Sequence, residues 1–147
     1  MNAIEILTKD HRKVDELFAQ IEGGQGNTAD LFKQLYMELN LHAEAEEHLF
    51  YPKLELEGET SSQVGHSYKE HQEVKNLLSE LSTMNQTEQA WTSKLLQLKQ
   101  SVQHHVQEEE NELFPKAQQI LGADQLSTIG ENIKAMKQKR QKQPSAA

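Results

Sequence analysis

Apolar residues recur every three or four positions along four long stretches of the chain, the period of an α-helix with one buried face. The first stretch carries Ile4, Leu7, Val14, Phe18 and Ile21, and the second Leu31, Leu35, Leu39 and Leu49. The third carries Val64, Tyr68, Val74, Leu78 and Leu81, and the fourth Trp91, Leu95, Leu98, Val102, Leu113 and Ile120. No stretch alternates with period two for long enough to predict a strand. Breaks fall at 23–28, 57–62 and 83–87, each ending in Asn, Thr or Ser, whose side-chain oxygens suit the cap of a following helix. Long helices joined by short loops must double back, which predicts an all-α protein: an antiparallel up-down-up-down four-helix bundle over residues 1–122. Gly122 reads as a stop. Asp124 then caps a short C-terminal helix over 123–138, and a basic flexible tail follows over 139–147.

Each apolar stripe is interrupted by polar residues of one kind. His11 stands in the seam of the first helix, His42 and Glu46 in the second, His71 in the third, and His105 and Glu109 in the fourth. The i, i+4 spacing stacks His42 over Glu46, and His105 over Glu109, about 6 Å apart along one helix face. In an antiparallel bundle the four seams can meet at one level, bringing six side chains together. The halves of the chain also repeat. Asp10-His11-x-x-Val14 matches Glu70-His71-x-x-Val74, and His42-x3-Glu46-Glu47 matches His105-x3-Glu109-Glu110. Ten residues after His42 and His105 come Pro52 and Pro115, each preceded by an aromatic, Tyr51 and Phe114. Two similar helix pairs supplying equivalent donors argue for two metal ions rather than one.

Charge sharpens this reading. Two ionised carboxylates in an apolar core cost several kcal/mol each unless compensated, against a total stability of about 5–15 kcal/mol. No Lys or Arg occupies the seams, so bound divalent or trivalent ions are the expected counter-charge. The remaining histidines fall outside the seams: His66-x3-Glu70, His104-x3-Glu108 and His48, four after Glu44, read as surface ion pairs. Glu47 and Glu110, at equivalent repeat positions, are candidates to support the ligands or to bind occasionally.

The chain has 147 residues, enough for one domain, and no cysteine, so disulfides, thiolate sites and iron–sulfur clusters are excluded. No run approaches the roughly 20 apolar residues that span a bilayer, and the N-terminus does not resemble a signal peptide, so a cytoplasmic location without membrane partners is expected. Of 15 basic residues, Lys134, Lys137, Lys139, Arg140 and Lys142 lie in 132–147, which has no acid. The first 131 residues therefore set ten basic against 23 acidic side chains, a net −13. Such a body repels nucleic acid. Oligomeric state is not readable from the pattern.

The paired H-x3-E-E…[FY]-P frames resemble those of the hemerythrin-like family, also called the HHE cation-binding domain, over about residues 3–120. The resemblance implies that His11, His42, Glu46, His71, His105 and Glu109 bind a non-haem di-iron centre, with Glu46 and Glu109 as bridges and an oxo or hydroxo bridge between the irons. Manganese or zinc are possible substitutes. Oxygen-carrying members have a fifth histidine one turn before the ligand of the third helix; here that position is Ser67, which argues against reversible oxygen carriage. Ferritin-like bundles instead use Glu-x-x-His, and no residue three before a histidine is glutamate in this chain. Four imidazoles and two bridging carboxylates leave roughly two positions open on an oxygen-bridged pair of six-coordinate ions, where oxygen chemistry starts. A small diatomic or peroxide ligand is expected, in sensing or detoxification. The alternative is an iron- or redox-responsive metal-binding protein without catalysis.

Overall fold

The computed structural model describes residues 1–56 and 58–142, and the described residues form helices with no strand among them. The helices are α1 (Ala3–Glu22), α2 (Thr28–Ala45), α3 (Tyr51–Glu55), α4 (Gly58–Thr83), α5 (Gln89–Glu108) and α6 (Phe114–Lys142). Wide π-helical turns, Glu46–Phe50 and Glu109–Leu113, join α2 to α3 and α5 to α6. The bundle therefore has four arms: α1, α2 continued through α3, α4, and α5 continued into α6. This is the predicted up-down-up-down arrangement.

Asn2 starts α1 with a capping box: its side chain accepts from the Glu5 amide while Glu5 Oε1 accepts from the Asn2 amide, both at 2.9 Å. Gly24 and Gly26, at φ 66° and 119°, turn the chain in the left-handed region, and the expected cap Asn27 accepts from the Asp30 amide. The other two breaks differ from expectation. Helix α4 begins at Gly58, and Thr60 donates to the Leu54 carbonyl across the α3–α4 turn. Helix α5 is preceded at its N-cap by Glu88, whose side chain makes no capping bond; Asn85 instead holds the loop by accepting from the Thr87 amide at 3.0 Å.

The buried side chains fall into two apolar clusters. One, at the end where α1 starts, includes Leu7, Phe50, Tyr51, Leu54, Val64, Leu113 and Phe114. The other, toward the end of α1, includes Val14, Phe18, Phe32, Leu35, Leu78, Leu81, Trp91 and Leu98. Between them lies a layer of buried polar residues: His11, His42, Glu46, Glu70, His71, His105 and Glu109. All four helical stripes thus pass through one polar level.

At Gly122 (φ 75°, ψ 171°) helix α6 breaks and changes direction, as the stop residue predicted. The last helix is longer than the sequence suggests, continuing to Lys142, so 139–142 are helical rather than tail; residues 143–147 lie outside the described residues. It returns over α1 and joins the first cluster through Leu126, Ile129 and Ile133. Gly130 permits the close approach: a Cβ there would stand 2.5 Å from the Met1 carbonyl oxygen.

Candidate metal centre

The two π-helical turns set the glutamates in place. Pro52 and Pro115 cannot continue a regular helix, since proline lacks an amide N–H and its ring meets the carbonyl four residues back. One residue earlier, the amides of Tyr51 and Phe114 reach back five positions to the carbonyls of Glu46 and Glu109. The widened turn lets consecutive glutamates serve one site. Glu46 and Glu109 point into the core, at 0% and 1% exposure, while Glu47 and Glu110 reach histidines of other helices from its edge.

All six seam residues are buried and meet at the polar level. His11, His42, Glu46 and Glu109 bring donor atoms within 4.8 Å of one another, and so do Glu46, His71 and His105. Glu46 belongs to both groups. His11 Nε2 lies 3.1 Å from Glu109 Oε1, and His71 Nε2 lies 3.0 Å from Glu46 Oε1. His105 Nε2 is 3.4 Å from Glu109 Oε2 and 3.2 Å from His71 Nε2.

The outward nitrogens are as well ordered. Each Nδ1 faces a carboxylate on another segment: His11 to Glu110 at 2.7 Å, His42 to Asp10 at 2.9 Å, His71 to Glu47 at 2.7 Å and His105 to Glu70 at 2.7 Å. A carboxylate fixes the proton on Nδ1, which leaves the inward Nε2 of the neutral ring as a bare lone pair aimed at the centre. The pattern obeys the internal repeat. Asp10 and Glu70, each preceding a histidine, support the histidine of the next helix, and Glu47 and Glu110, each following a core glutamate, support His71 and His11. Glu47 and Glu110 take the supporting role that their repeat positions suggest; Asp10 takes it outside the expected set, and Glu70 serves His105 as well as His66. The available signal was an acid at the same place in both repeated frames.

Tyr51 also joins the centre, a role that helical period does not mark. Fully buried, it donates its hydroxyl proton to Glu109 Oε2 at 2.5 Å, with the oxygen 3.3 Å from His71 Nε2 and 3.4 Å from His105 Nε2. Burial, reinforced by Glu109 and Glu46, pushes this phenol well above its ordinary range, so it keeps its proton. Ser67, at the position of the carriers' fifth histidine, is buried beside Tyr51. The repeat counterpart of Tyr51 is Phe114, whose ring stacks on His11 with centroids 5.8 Å apart. The two halves are therefore chemically unlike: one presents a hydroxyl to the centre, the other a hydrocarbon.

Besides metal ions, the site's own protons can supply counter-charge. Burial opposes charge on His42, but Glu46 and Asp10 outweigh it and raise its pKa to about 10. His105 is raised well above its usual value against burial by Glu109, Glu46 and Glu70, and His71 is raised by Glu46 and Glu47. Glu46, despite burial, is held well below the usual carboxylate range by His42 and His105. Without a cation the imidazoles themselves supply the counter-charge, so protons and metal ions compete for the same Nε2 atoms. Protons do not satisfy the whole layer: His42 Nε2 and Glu46 Oε2 are buried without a hydrogen-bond partner, though His42 Nε2 lies 3.1 Å from Glu46 Oε1. Unpartnered buried donors of these two types, in one converging set, fit a metal ion.

Beside the ring nitrogens is a cavity of about 30 Å³, walled by Val14, Leu39, Val74, Val102 and Val106 together with the four histidines. Its volume admits a molecule of two or three atoms. No helix among the described residues is long and apolar enough to cross a membrane.

A four-helix bundle with a buried histidine–carboxylate layer defines a helical cation-binding domain. The chain belongs to the hemerythrin HHE cation-binding domain family, whose model matches residues 2–117. A solved structure of an HHE cation-binding domain protein from Mycobacterium kansasii superposes with a TM-score of 0.82 at 26% identity, covering 96% of this chain and 88% of that one. A protein of Nostoc sp. described as a DNA nickase is 31% identical over 146 residues, 96% of this chain and 40% of its own length. An uncharacterised hemerythrin-like protein of Schizosaccharomyces pombe is 30% identical over 125 residues, 82% of this chain and 62% of its own length. The chain thus spans 40% of the first of these relatives and 62% of the second, less than two thirds of either.

Proposed function

We propose that this chain is a non-haem di-iron protein that binds oxygen, nitric oxide or peroxide in its core, in small-molecule sensing or detoxification. The observation that carries the reading is the pair of overlapping donor groups sharing Glu46, with His42 Nε2 and Glu46 Oε2 buried and unpartnered. His11 and His42 would hold one ion and His71 and His105 the other, with Glu46 and Glu109 between them. Mixed imidazole and carboxylate donors suit iron, with manganese or zinc as substitutes. When bound, a pair of irons supplies one-electron chemistry and open positions for a small ligand.

The chain's own residues do the rest. The four Nδ1-facing carboxylates fix ring orientation and strengthen the imidazoles as donors. The largely apolar lining of the cavity and its small volume favour a ligand of a few atoms. Tyr51 holds a proton at the centre beside His71 and His105, on the face of the layer away from that cavity, and donates it in a hydrogen bond to Glu109. The nicking activity named for the longer Nostoc protein is not part of this proposal, because a body with a net −13 over residues 1–131 repels a phosphate backbone. The alternative of an iron- or redox-responsive protein without turnover is favoured by one contact. Lys137 of α6 grips Asp10, the support of His42, and so links the centre to a surface helix. Elemental analysis of gently purified protein tests the proposal: about two irons per chain are expected, and one or none contradicts it. Stopped-flow mixing of the reduced protein with oxygen, peroxide or nitric oxide then identifies the ligand.

A further inference from the structure

The two histidine–glutamate pairs assigned to the surface by their spacing do form, but they are not separate. His66 Nε2 lies 3.3 Å from Glu70 Oε2 on α4, and His104 Nε2 lies 2.8 Å from Glu108 Oε1 on α5. The pairs also cross between the helices: His66 Nε2 is 3.3 Å from Glu108 Oε2, and His104 Nε2 is 3.7 Å from Glu70 Oε2. Donor atoms from all four side chains fall within 4.8 Å of one another.

We propose that His66, Glu70, His104 and Glu108 form a second metal site, selective for a zinc-like divalent transition ion and distinct from the core centre. Three observations support it. A tetrahedral zinc with bonds of about 2.0–2.1 Å sets its donors about 3.3 Å apart along each edge, and the four measured separations scatter around that value. Two imidazoles and two carboxylates match zinc in donor type, and the carboxylates cancel its charge. The histidines are 54% and 65% exposed, so an ion reaches them from solvent without opening the bundle. Glu70 is nearly buried and uses both oxygens: Oε1 accepts from His105 Nδ1 at 2.7 Å, while Oε2 faces the outer group. One carboxylate therefore joins the outer ion to a core histidine. An outer cation draws charge from Glu70 and weakens its hold on the His105 proton, which makes the site a place where one metal adjusts the other. This coupling rests on the di-iron reading; the outer site itself does not.

The test is Zn²⁺ binding to the protein as isolated, measured by equilibrium dialysis with elemental analysis. The wild type, the double variant His66→Ala/His104→Ala and the variant Glu108→Gln are compared, with circular dichroism melts to check folding. None of these residues belongs to the core donor set. The expected result is one more Zn²⁺ per chain in the wild type than in the double variant, with affinity lowered about tenfold or more in Glu108→Gln. Equal Zn²⁺ content in wild type and double variant overturns the site. Displacement of the ion by excess Mg²⁺ also overturns it, since a generic acidic patch would favour the harder ion's oxygen ligands. In iron-loaded protein, Zn²⁺ should shift the visible absorption of the wild type and not of the double variant. An unshifted spectrum with Zn²⁺ bound overturns the coupling, whereas failure to load iron contradicts the core reading and leaves the zinc count informative.

Discussion

At the scale of single residues the centre is a set of charges that only make sense together. Glu109 is buried, faces His11 and His105, and accepts the Tyr51 proton. Glu109→Ala should strip metal and cost about 3–5 kcal/mol, because the histidines lose a buried partner. Glu112→Ala, on the exposed side of the same turn, should change neither metal content nor melting. Tyr51→Phe should retain metal, since the ligand set is untouched, but cost about 1–3 kcal/mol for the unmade hydrogen bond. It should also alter the reaction with peroxide; unchanged stopped-flow kinetics would remove the proton-holding role. A pH dependence follows from the raised histidines. The folded-state pKa of His42, about 10 against an ordinary 6.5, contributes stability that is complete below pH 6.5 and is lost as pH rises toward 10. Asp10 and Glu46, both depressed, contribute stability that is present above their usual values of 3.8 and 4.5 and is lost as acid protonates them. Metal-free protein should therefore weaken toward alkaline pH, while bound metal replaces those protons. The gap between chelated and loaded melting temperatures should widen from pH 6.5 toward 10, and a constant gap would contradict the assigned proton sites. The six inward residues were legible from sequence because each interrupts an apolar stripe. Asp10, Glu70 and Tyr51 were not, because their roles depend on which neighbouring helix they face, and helical period gives a face without naming the neighbour.

At the scale of elements the π-helical turns and the last helix do work that periodicity does not foretell. A period of 3.6 locates Glu46 and Glu109 but not Glu47 and Glu110, whose approach to His71 and His11 needs the extra residue ahead of each proline. A proline disturbs any helix it enters, and the widened turn is the form the disturbance takes here. The four arms and the Gly122 stop were legible, from stripe length and turn residues. The return of α6 over α1 was not, since its apolar positions Leu126, Ile129 and Ile133 are few among charged and polar neighbours. Gly130 tests that packing. Gly130→Ala would place a Cβ 2.5 Å from the Met1 oxygen and 2.8 Å from the Asn2 carbonyl carbon, and should destabilise by about 1–3 kcal/mol. Gly65→Ala, exposed within α4 with nothing within 4 Å of the added methyl, should stabilise by about 0.5–1 kcal/mol. Opposite shifts in thermal melts are expected, and a neutral Gly130→Ala would mean that α6 does not sit tightly on the N-terminus. Asp10→Ala, which frees both His42 and Lys137, should lower metal affinity about 10–100-fold, measured by competition with a chelator.

At the scale of the whole molecule, two apolar clusters clamp a polar layer that neither protein groups nor protons fully satisfy. The clusters can keep the helices formed without metal, so chelation should preserve most of the helical signal while lowering the melting midpoint, as expected when an ion binds the folded state alone. The account stands on the claim that two ions lie in that layer, on either side of Glu46. The most direct measurement is an anomalous-difference map at the iron absorption edge from crystals of protein purified without chelators. The account predicts two peaks within the bundle, one bounded by His11 and His42 and the other by His71 and His105, both adjoining Glu46 and Glu109. A single peak, or none between the four histidines, would contradict it.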